Sequence, residues 1–358
     1  MENNVKFRAI HRIAAAFRTL KAVGIIALIA VIGLTAAACG GAKHQSVESI
    51  TKFLAKQSGT TAEKPAKLSV QMELGNMESS GSAWGQIMEA LKNWGGYVSL
   101  DVSASTMSGT VFNPGRAYEK IASIVLPDTT TEIGRNVLNS MASSCAINVT
   151  NKNAAYSSTD GILYSKDGKT LLHSTNRKGT VTVVVPNGVT RIGDSSFSGF
   201  GNLVSITLPD SVTSIGGGAF ALCEALASIT IPDGVVSIEG GTFSMCGALA
   251  SVTIPNSVKS IGNQAFDGCK ALTSITIPSS VASIGNSAFR NCNALTSVTI
   301  QGNIPSSSFN TSAFGDAPSR GGIYLGGYIG NLREAYLAAN GGPGTYERIS
   351  GHNVWLKQ

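Results

Sequence analysis

The chain has 358 residues, of which only 13% are charged and 6% aromatic, and it contains 41 glycines. A chain with so few charges and so many apolar residues is not intrinsically disordered. Lysine and arginine outnumber aspartate and glutamate by 27 to 21, but five of the basic residues lie within residues 1–38. The remainder is nearly balanced and has no basic block interleaved with aromatic residues, so nucleic acid is not an expected partner.

The chain begins with the features of a secretory signal. Five basic residues precede an apolar run, Ala22–Ala38, which is short for a transmembrane helix of about 20 residues. The segment Thr35–Cys39 resembles a bacterial lipobox, whose cysteine is acylated and becomes the mature N-terminus. We therefore expect a lipoprotein signal peptide over residues 1–38 and lipidation at Cys39. Plain secretory cleavage and an uncleaved anchor are the alternatives.

The next segments are predicted to join this anchor to a folded domain. Residues 39–67 are polar and mixed, as in a flexible tether, although Ser46–Lys56 also suits a short helix. Residues 68–120 form the predicted N-terminal cap region. In it, the apolar residues of Trp84–Trp94 share one face at helical spacing. A helix there would cover the first coil of a repeat array, and a loosely packed lead-in is the alternative.

The middle of the chain repeats with a period of 23 residues. Each unit opens on a proline, and the five regular units open on Pro186, Pro209, Pro232, Pro255 and Pro278. Hydroxyl and apolar residues alternate in Ser251–Ile254, which predicts a half-exposed strand, and Gly262 is expected to permit a bend. A fixed period of this length indicates stacked coils that share one core.

The register extends outward from these units. Ile121–Leu126 is a strand pattern, and Ile147 lies 23 residues after Ile124. The predicted solenoid therefore covers residues 121–325, with about nine strands and a last strand at Ile323–Leu325.

Two segments depart from the period. An insertion at residues 151–180 contains Asp167-Gly168 between two apolar runs, which predicts a hairpin. Residues 326–358 are the predicted C-terminal cap, with a short helix at Leu332–Ala339. We expect a cap because a bare solenoid end exposes both core and strand edge. Glu239 interrupts an otherwise constant glycine position, which predicts a local bulge.

These units resemble the leucine-rich repeat of BspA-like, or treponemal-type, surface proteins. Ile254–Thr276 follows that repeat almost position by position, and the hairpin and the tail resemble the same family. The resemblance implies a mainly β repeat solenoid with a short C-terminal helix cap. It also implies an adhesin whose partners are host extracellular-matrix proteins or other cell-surface proteins. It assigns no binding residue.

No catalytic or metal-binding pattern accompanies the repeats. The histidines after Cys39 are His44, His173 and His352, and they fall in separate regions of the chain. Neither a histidine metal site nor a catalytic triad is indicated. We expect a protein that is not an enzyme and needs no cofactor.

Four cysteines hold one position of the repeat: Cys223, Cys246, Cys269 and Cys292. Adjacent coils would bring their Cα atoms within the disulfide range. However, their side chains run parallel and no C-x-x-C pair occurs, so free thiols that pack as small apolar groups are expected. Cys145 lies outside this column and is the better candidate for a reactive thiol.

The most suggestive surface is a pair of hydroxyl rows along five predicted strands. Its ten residues, which we call the hydroxyl face, are Ser205, Thr207, Ser228, Thr230, Ser251, Thr253, Ser274, Thr276, Ser297 and Thr299. The rows suit partner binding, and they also suit a soluble strand face, since threonine favours exposed strands.

We therefore expect a non-catalytic adhesin or interaction scaffold, anchored by lipid in a bacterial outer membrane and exposed at the surface. The alternative is a structural envelope lipoprotein that faces the periplasm and has no host ligand.

Overall fold

The computed structural model describes residues 43–114, 119–134, 137, 145–174, 181–310, 312–314, 332–338, 342–348 and 355–358. In this part the chain is a mainly β solenoid of about eight stacked coils with roughly 23-residue spacing, which confirms the predicted fold class. The helices are α1 (Val47–Leu54), α2 (Ala83–Trp94) and α3 (Leu332–Leu337). The strands are β1 (Ala66–Ser69), β2 (Val98–Asp101), β3 (Val111–Phe112), β4 (Ile121–Val125), β5 (Glu132–Ile133), β6 (Ala146–Asn148), β7 (Tyr156–Thr159), β8 (Ile162–Ser165), β9 (Thr170–His173), β10 (Thr182–Val184), β11 (Arg191–Ile192), β12 (Ser205–Thr207), β13 (Ser214–Ile215), β14 (Ser228–Thr230), β15 (Ser237–Ile238), β16 (Ser251–Thr253), β17 (Ser260–Ile261), β18 (Ser274–Ile277), β19 (Ser283–Ile284), β20 (Ser297–Ile300), β21 (Gly344–Arg348) and β22 (Trp355–Lys357).

Each regular coil contributes one strand to each of two parallel ribbons. The first ribbon contains the pairs β10–β12, β14–β16 and β18–β20, and the second contains β11–β13 and β15–β17–β19. The register advances by one repeat, so Ser228 pairs with Ser251 in the first ribbon and Ser237 with Ser260 in the second. Parallel strands need a crossover, and here the rest of the coil supplies it.

A column of stacked phenylalanines lies in the core. The rings of Phe220 and Phe243 are 5.5 Å apart and nearly parallel, and the stack continues without a gap from Phe197 to Phe314. Phe314 is two residues late for the repeat, yet its ring lies 4.8 Å from that of Phe289. The core therefore continues where the sequence period loosens.

The glycine position permits close coil packing and not, as expected, a bend. A Cβ at Gly262 would lie 2.6 Å from the backbone nitrogen of Gly240 in the preceding coil. At the matching position Glu239 carries a side chain, and within the described residues β13 and β15 belong to separate sheets. The next pairing, β15 with β17, keeps its register. The predicted bulge at Glu239 is therefore an interruption of ribbon pairing and not an extra residue.

The predicted tether is wrong for much of its length, because the fold starts at its N-terminal end. The His44 backbone nitrogen donates to the Ser69 carbonyl oxygen at 2.9 Å, next to β1. Helix α1 follows, capped by Ser46, whose side chain accepts from the Ser49 nitrogen. The helix buries apolar residues, including Ile50, in the N-terminal core. Their spacing is amphipathic, which the polar composition of the segment concealed.

The predicted N-terminal cap region already contains solenoid strands. Strand β2 pairs in parallel with β1 on one side and with β4 on the other, so the coil stack starts before residue 121. The expected helix is present as α2, which buries Trp84, Ile87 and Leu91. It packs into the N-terminal core beside α1.

The predicted hairpin is confirmed, but it is part of the core and not an appendage. Strands β8 and β9 pair antiparallel around Asp167-Gly168, and β7 adds a third strand. Strand β9 then pairs in parallel with β11 and so joins the second ribbon. Leu163 belongs to the N-terminal core cluster and its neighbour Tyr164 to the C-terminal cluster. The hairpin therefore lies between the two halves of the solenoid.

The C-terminal cap is built more from strands than from the predicted helix. Helix α3 is present, and the Tyr336 hydroxyl ties it to the last coil by accepting from the Ile304 nitrogen at 2.7 Å. Strand β21 runs antiparallel along β20, and β22 pairs with β21. These strands cover the edge that β20 would otherwise expose. The strand predicted at Ile323–Leu325 lies outside the described residues.

Candidate functional site

The hydroxyl face lies on the first ribbon, as predicted. In each of the strands β12, β14, β16, β18 and β20, a serine and a threonine point outward and the residue between them points inward. The inward residue Ile229, for example, is buried, while Ser228 and Thr230 are exposed. Pairing places serine beside serine and threonine beside threonine, as in Ser228 with Ser251.

Eight of the ten hydroxyl groups are available to a partner. These are the exposed residues Ser205, Thr207, Ser228, Thr230, Ser251, Thr253, Ser274 and Thr276. In the described part of the chain, none of their side chains hydrogen-bonds to another group of the protein. Each hydroxyl can donate one hydrogen bond and accept two. The result is a flat, uncharged surface that offers both donors and acceptors in two rows.

The last pair of the face is partly covered by the C-terminal cap. Ser297 and Thr299 are half-buried, because β21 pairs with their strand. The Thr299 hydroxyl lies 3.0 Å from that of Thr345 and is hydrogen-bonded to it. The cap therefore shortens the predicted face from five strands to four.

The opposite end of the face is apolar, which the sequence prediction missed. Val184 on β10 pairs with Thr207 and is 69% exposed. Val181 and Val204 beside it are 48% and 45% exposed. The signal was present in the sequence, since Val184 stands 23 residues before Thr207 in the threonine row. An apolar end gives the hydroxyl face a point at which burial against a partner would be favourable.

The cysteine column is buried in the core, behind these strands. Each thiol donates to a phenylalanine carbonyl in the preceding coil, with Sγ–O distances of 3.2 Å for Cys223 and 3.1 Å for Cys246. Burial raises the pKa of both thiols well above the ordinary value. A protonated, hydrogen-bonded thiol is a poor nucleophile, so the column is structural.

Cys145 is not the reactive thiol that its position suggested. Its side chain is 1% exposed, and burial raises its pKa to about 12. Being outside the repeat column did not place it at the surface, because it immediately precedes β6 and packs in the N-terminal core. The thiolate needed for reactivity is therefore disfavoured.

The described histidines do not form a common site. His44 lies at the edge of β1, stacked on Phe53, and His173 is buried at the end of β9. Burial lowers the pKa of His173 to about 4, partly offset by the nearby Cys145 backbone, although neither ring nitrogen meets hydrogen-bond geometry. His352 lies outside the described residues. In the part that the structure describes, no three histidine, cysteine or acidic side chains are grouped as metal ligands.

The proposed lipidation site, Cys39, lies outside the described residues, as does the apolar run before it. None of the helices in the described ranges is both long enough and apolar enough to cross a membrane.

Comparison with known proteins identifies the repeat. Residues 176–295 match the model of the BspA type leucine rich repeat region in six copies. A leucine rich cell surface protein from Faecalibacterium prausnitzii A2-165 is 28% identical, with a TM-score of 0.50 over 66% of this chain and 60% of that protein. A leucine-rich repeat protein from Eubacterium ventriosum is 23% identical over 64% of this chain and 69% of that one, with a TM-score of 0.43. The T. pallidum leucine rich repeat protein is 32% identical over 45% of this chain and 72% of that one, with a TM-score of 0.36.

A comparison with curated proteins gave no match. The family model covers the five regular units, where the phenylalanine stack, the cysteine column and the paired ribbons are found. The chain thus carries a BspA-type leucine-rich repeat region, and its solenoid belongs to that family.

Proposed function

We propose that the chain is a lipid-anchored bacterial surface protein that binds partner proteins, without catalysis, through its hydroxyl face. One observation carries this proposal: eight exposed hydroxyl groups without intramolecular partners stand in two in-register rows on four strands. The likeness to a Faecalibacterium protein described as a cell surface protein supports the placement.

The chemistry of the face suits a protein partner. A single hydrogen bond contributes only about 0.5–1.5 kcal/mol net, so a row of hydroxyls binds well only when many engage an extended surface together. The exposed valines Val181, Val184 and Val204 add apolar area at one end. Well-packed apolar contacts typically carry much of the energy in protein interfaces. The expected partners are host extracellular-matrix proteins or other cell-surface proteins, as the family resemblance implies.

A surface-binding assay with matched variants tests the proposal. The whole chain is bound to immobilised fibronectin and fibrinogen, alongside the double variant Thr230→Lys/Thr253→Lys. Two lysines at the centre of the face would obstruct close contact, and we expect at least about tenfold weaker binding. The control is Thr213→Lys, an exposed residue next to the second ribbon, which should bind as the wild type does. Equal binding of both variants would show that the face is not used.

The alternative is a periplasm-facing structural lipoprotein. Proteinase K added to intact cells should degrade the chain if it is surface-exposed and leave it intact if it faces the periplasm. Protection from the protease, or failure of the folded protein to bind a broad panel of matrix proteins, would favour this alternative.

A further inference from the structure

A shallow polar groove crosses four consecutive coils of the second ribbon, on a different part of the coil from the hydroxyl face. Its volume is about 430 Å³. The polar side chains that line it include Glu239, Ser260, Asn263, Ser283, Ser308 and Asn310. The groove lies where the glycine position is interrupted, so the irregularity of the sequence and the concavity of the surface coincide.

The asparagines of the groove are held so that their amide nitrogens are free. The Asn263 side-chain oxygen accepts from the Asn286 backbone nitrogen at 2.8 Å, and the Asn310 side-chain oxygen accepts from the Ser312 nitrogen at 3.0 Å. These bonds fix which end of each amide is oxygen, because a backbone N–H needs an acceptor. Within the described residues the two NH₂ groups have no intramolecular partner. The groove therefore presents four N–H donors in fixed positions.

Glu239 supplies the complementary acceptor. It is exposed and is the one ionisable residue among those that line the groove. Its Oε1 accepts from the Ser237 hydroxyl, which orients the carboxylate. The serines along the groove add hydroxyls that can both donate and accept.

This combination selects the class of ligand. An apolar ligand would leave the amides and the carboxylate desolvated without partners, which is unfavourable. An anion would be repelled by Glu239. A sugar ring carries neighbouring hydroxyls that accept from the amides and donate to the carboxylate, and the volume lies within the usual range for small-ligand sites. We propose that the polar groove binds an uncharged oligosaccharide, independently of the hydroxyl face.

Binding of neutral trisaccharides to the whole chain tests this site. Maltotriose, mannotriose and tri-N-acetylchitotriose are titrated by calorimetry up to about 10 mM, since single carbohydrate sites are often weak. The variants Asn263→Asp and Asn310→Asp keep the oxygen that the backbone needs and remove only the N–H donors. We expect each to weaken binding by about fivefold or more. The matched control is Asn256→Asp, which adds the same charge at an exposed position outside the groove and should change nothing.

Glu239 separates a sugar from the main rival, a basic peptide. Glu239→Gly restores the regular repeat and should weaken trisaccharide binding, while added salt should have little effect. A trilysine peptide would instead bind in a salt-dependent way and be lost in Glu239→Gln. The proposal is overturned if folded wild-type protein binds no trisaccharide, if the two asparagine variants bind as well as wild type, or if only trilysine binds. Adhesion to matrix proteins is measured separately, so failure of either proposal leaves the other intact.

Discussion

The thiol of Cys246 donates a hydrogen bond to the backbone carbonyl oxygen of Phe220, at an Sγ–O distance of 3.1 Å. The same bond joins each thiol of the column to the coil before it. Cysteine is small and apolar enough for the stacked core, and its S–H also satisfies a carbonyl that the turn leaves without a backbone partner. This dual role explains why the column holds cysteine and neither alanine nor a larger apolar residue.

The first prediction concerns that bond. Cys246→Ala should lower the free energy of unfolding by about 1–2 kcal/mol, because it leaves a small cavity and an unsatisfied buried carbonyl. Urea unfolding of the whole chain measures this. Ser251→Ala, at an exposed position two strand residues beyond Leu249, should stay within about 0.5 kcal/mol of wild type. A Cys246→Ala variant as stable as wild type would show that the thiol bond contributes nothing.

How much of this structure the sequence could predict depended on whether the information was periodic. Alternation in Ser251–Ile254 and the 23-residue spacing were enough for strands, ribbons, core and hydroxyl face. The partner of each thiol was not predictable, because it depends on the offset between coils. Strand β21 lies outside the repeat, so no register indicated that it would cover Thr299.

The polar groove was only partly visible in the sequence. Glu239 stood out as the break in the glycine position, and it lines the groove. The orientation of Asn263 could not be predicted, because its oxygen is fixed by the backbone of the next coil. Periodic sequence therefore predicts the scaffold well and the chemistry of its surface poorly.

The second prediction is a loss of stability in acid that depends on His173. Burial lowers its folded pKa to about 4, below the ordinary value of 6.5, so protons bind the unfolded chain more tightly. Stability from this group is complete above pH 6.5 and declines as the pH falls toward 4. The expected loss is about 2 kcal/mol at pH 5 and about 3 kcal/mol at pH 4.

Urea midpoints at pH 7.5, 6, 5 and 4 measure this effect against His173→Leu. The leucine variant has no titrating group at this site, so its stability should fall less between pH 6.5 and 4. Carboxylates titrate in both proteins, and the difference between the two curves isolates the histidine. Parallel curves would contradict the prediction.

The third prediction concerns a buried carboxylate at the edge of two neighbouring coils. Asp267 is 3% exposed and accepts from Arg290 at 2.6 Å and from the Asn291 side chain at 3.0 Å. Arg290→Met should lower the free energy of unfolding by about 2–3 kcal/mol, because it leaves the buried charge with one partner fewer. This is less than for a fully buried pair, since the arginine side chain is 38% exposed.

A double-mutant cycle with Asp267→Asn checks that the cost arises from the pair. Neutralising the carboxylate removes most of the reason for the arginine, so the double variant should be more stable than the two single changes predict together. Additive effects would mean that Arg290 acts through packing alone.

The last prediction concerns the anchor, and the early start of the fold sharpens it. His44 already lies in the sheet, so at most about five residues, or roughly 18 Å of extended chain, separate a lipid on Cys39 from the first coil. A lipidated chain would therefore hold its N-terminal coil close to the membrane. Cys39→Ala should abolish incorporation of a labelled fatty acid and move the protein from the membrane fraction to the soluble fraction. Cys145→Ala, which also removes one cysteine, should remain lipidated and membrane-bound. If Cys39→Ala stays in the membrane fraction, the apolar run Ala22–Ala38 is an uncleaved anchor, and the lipoprotein proposal is wrong.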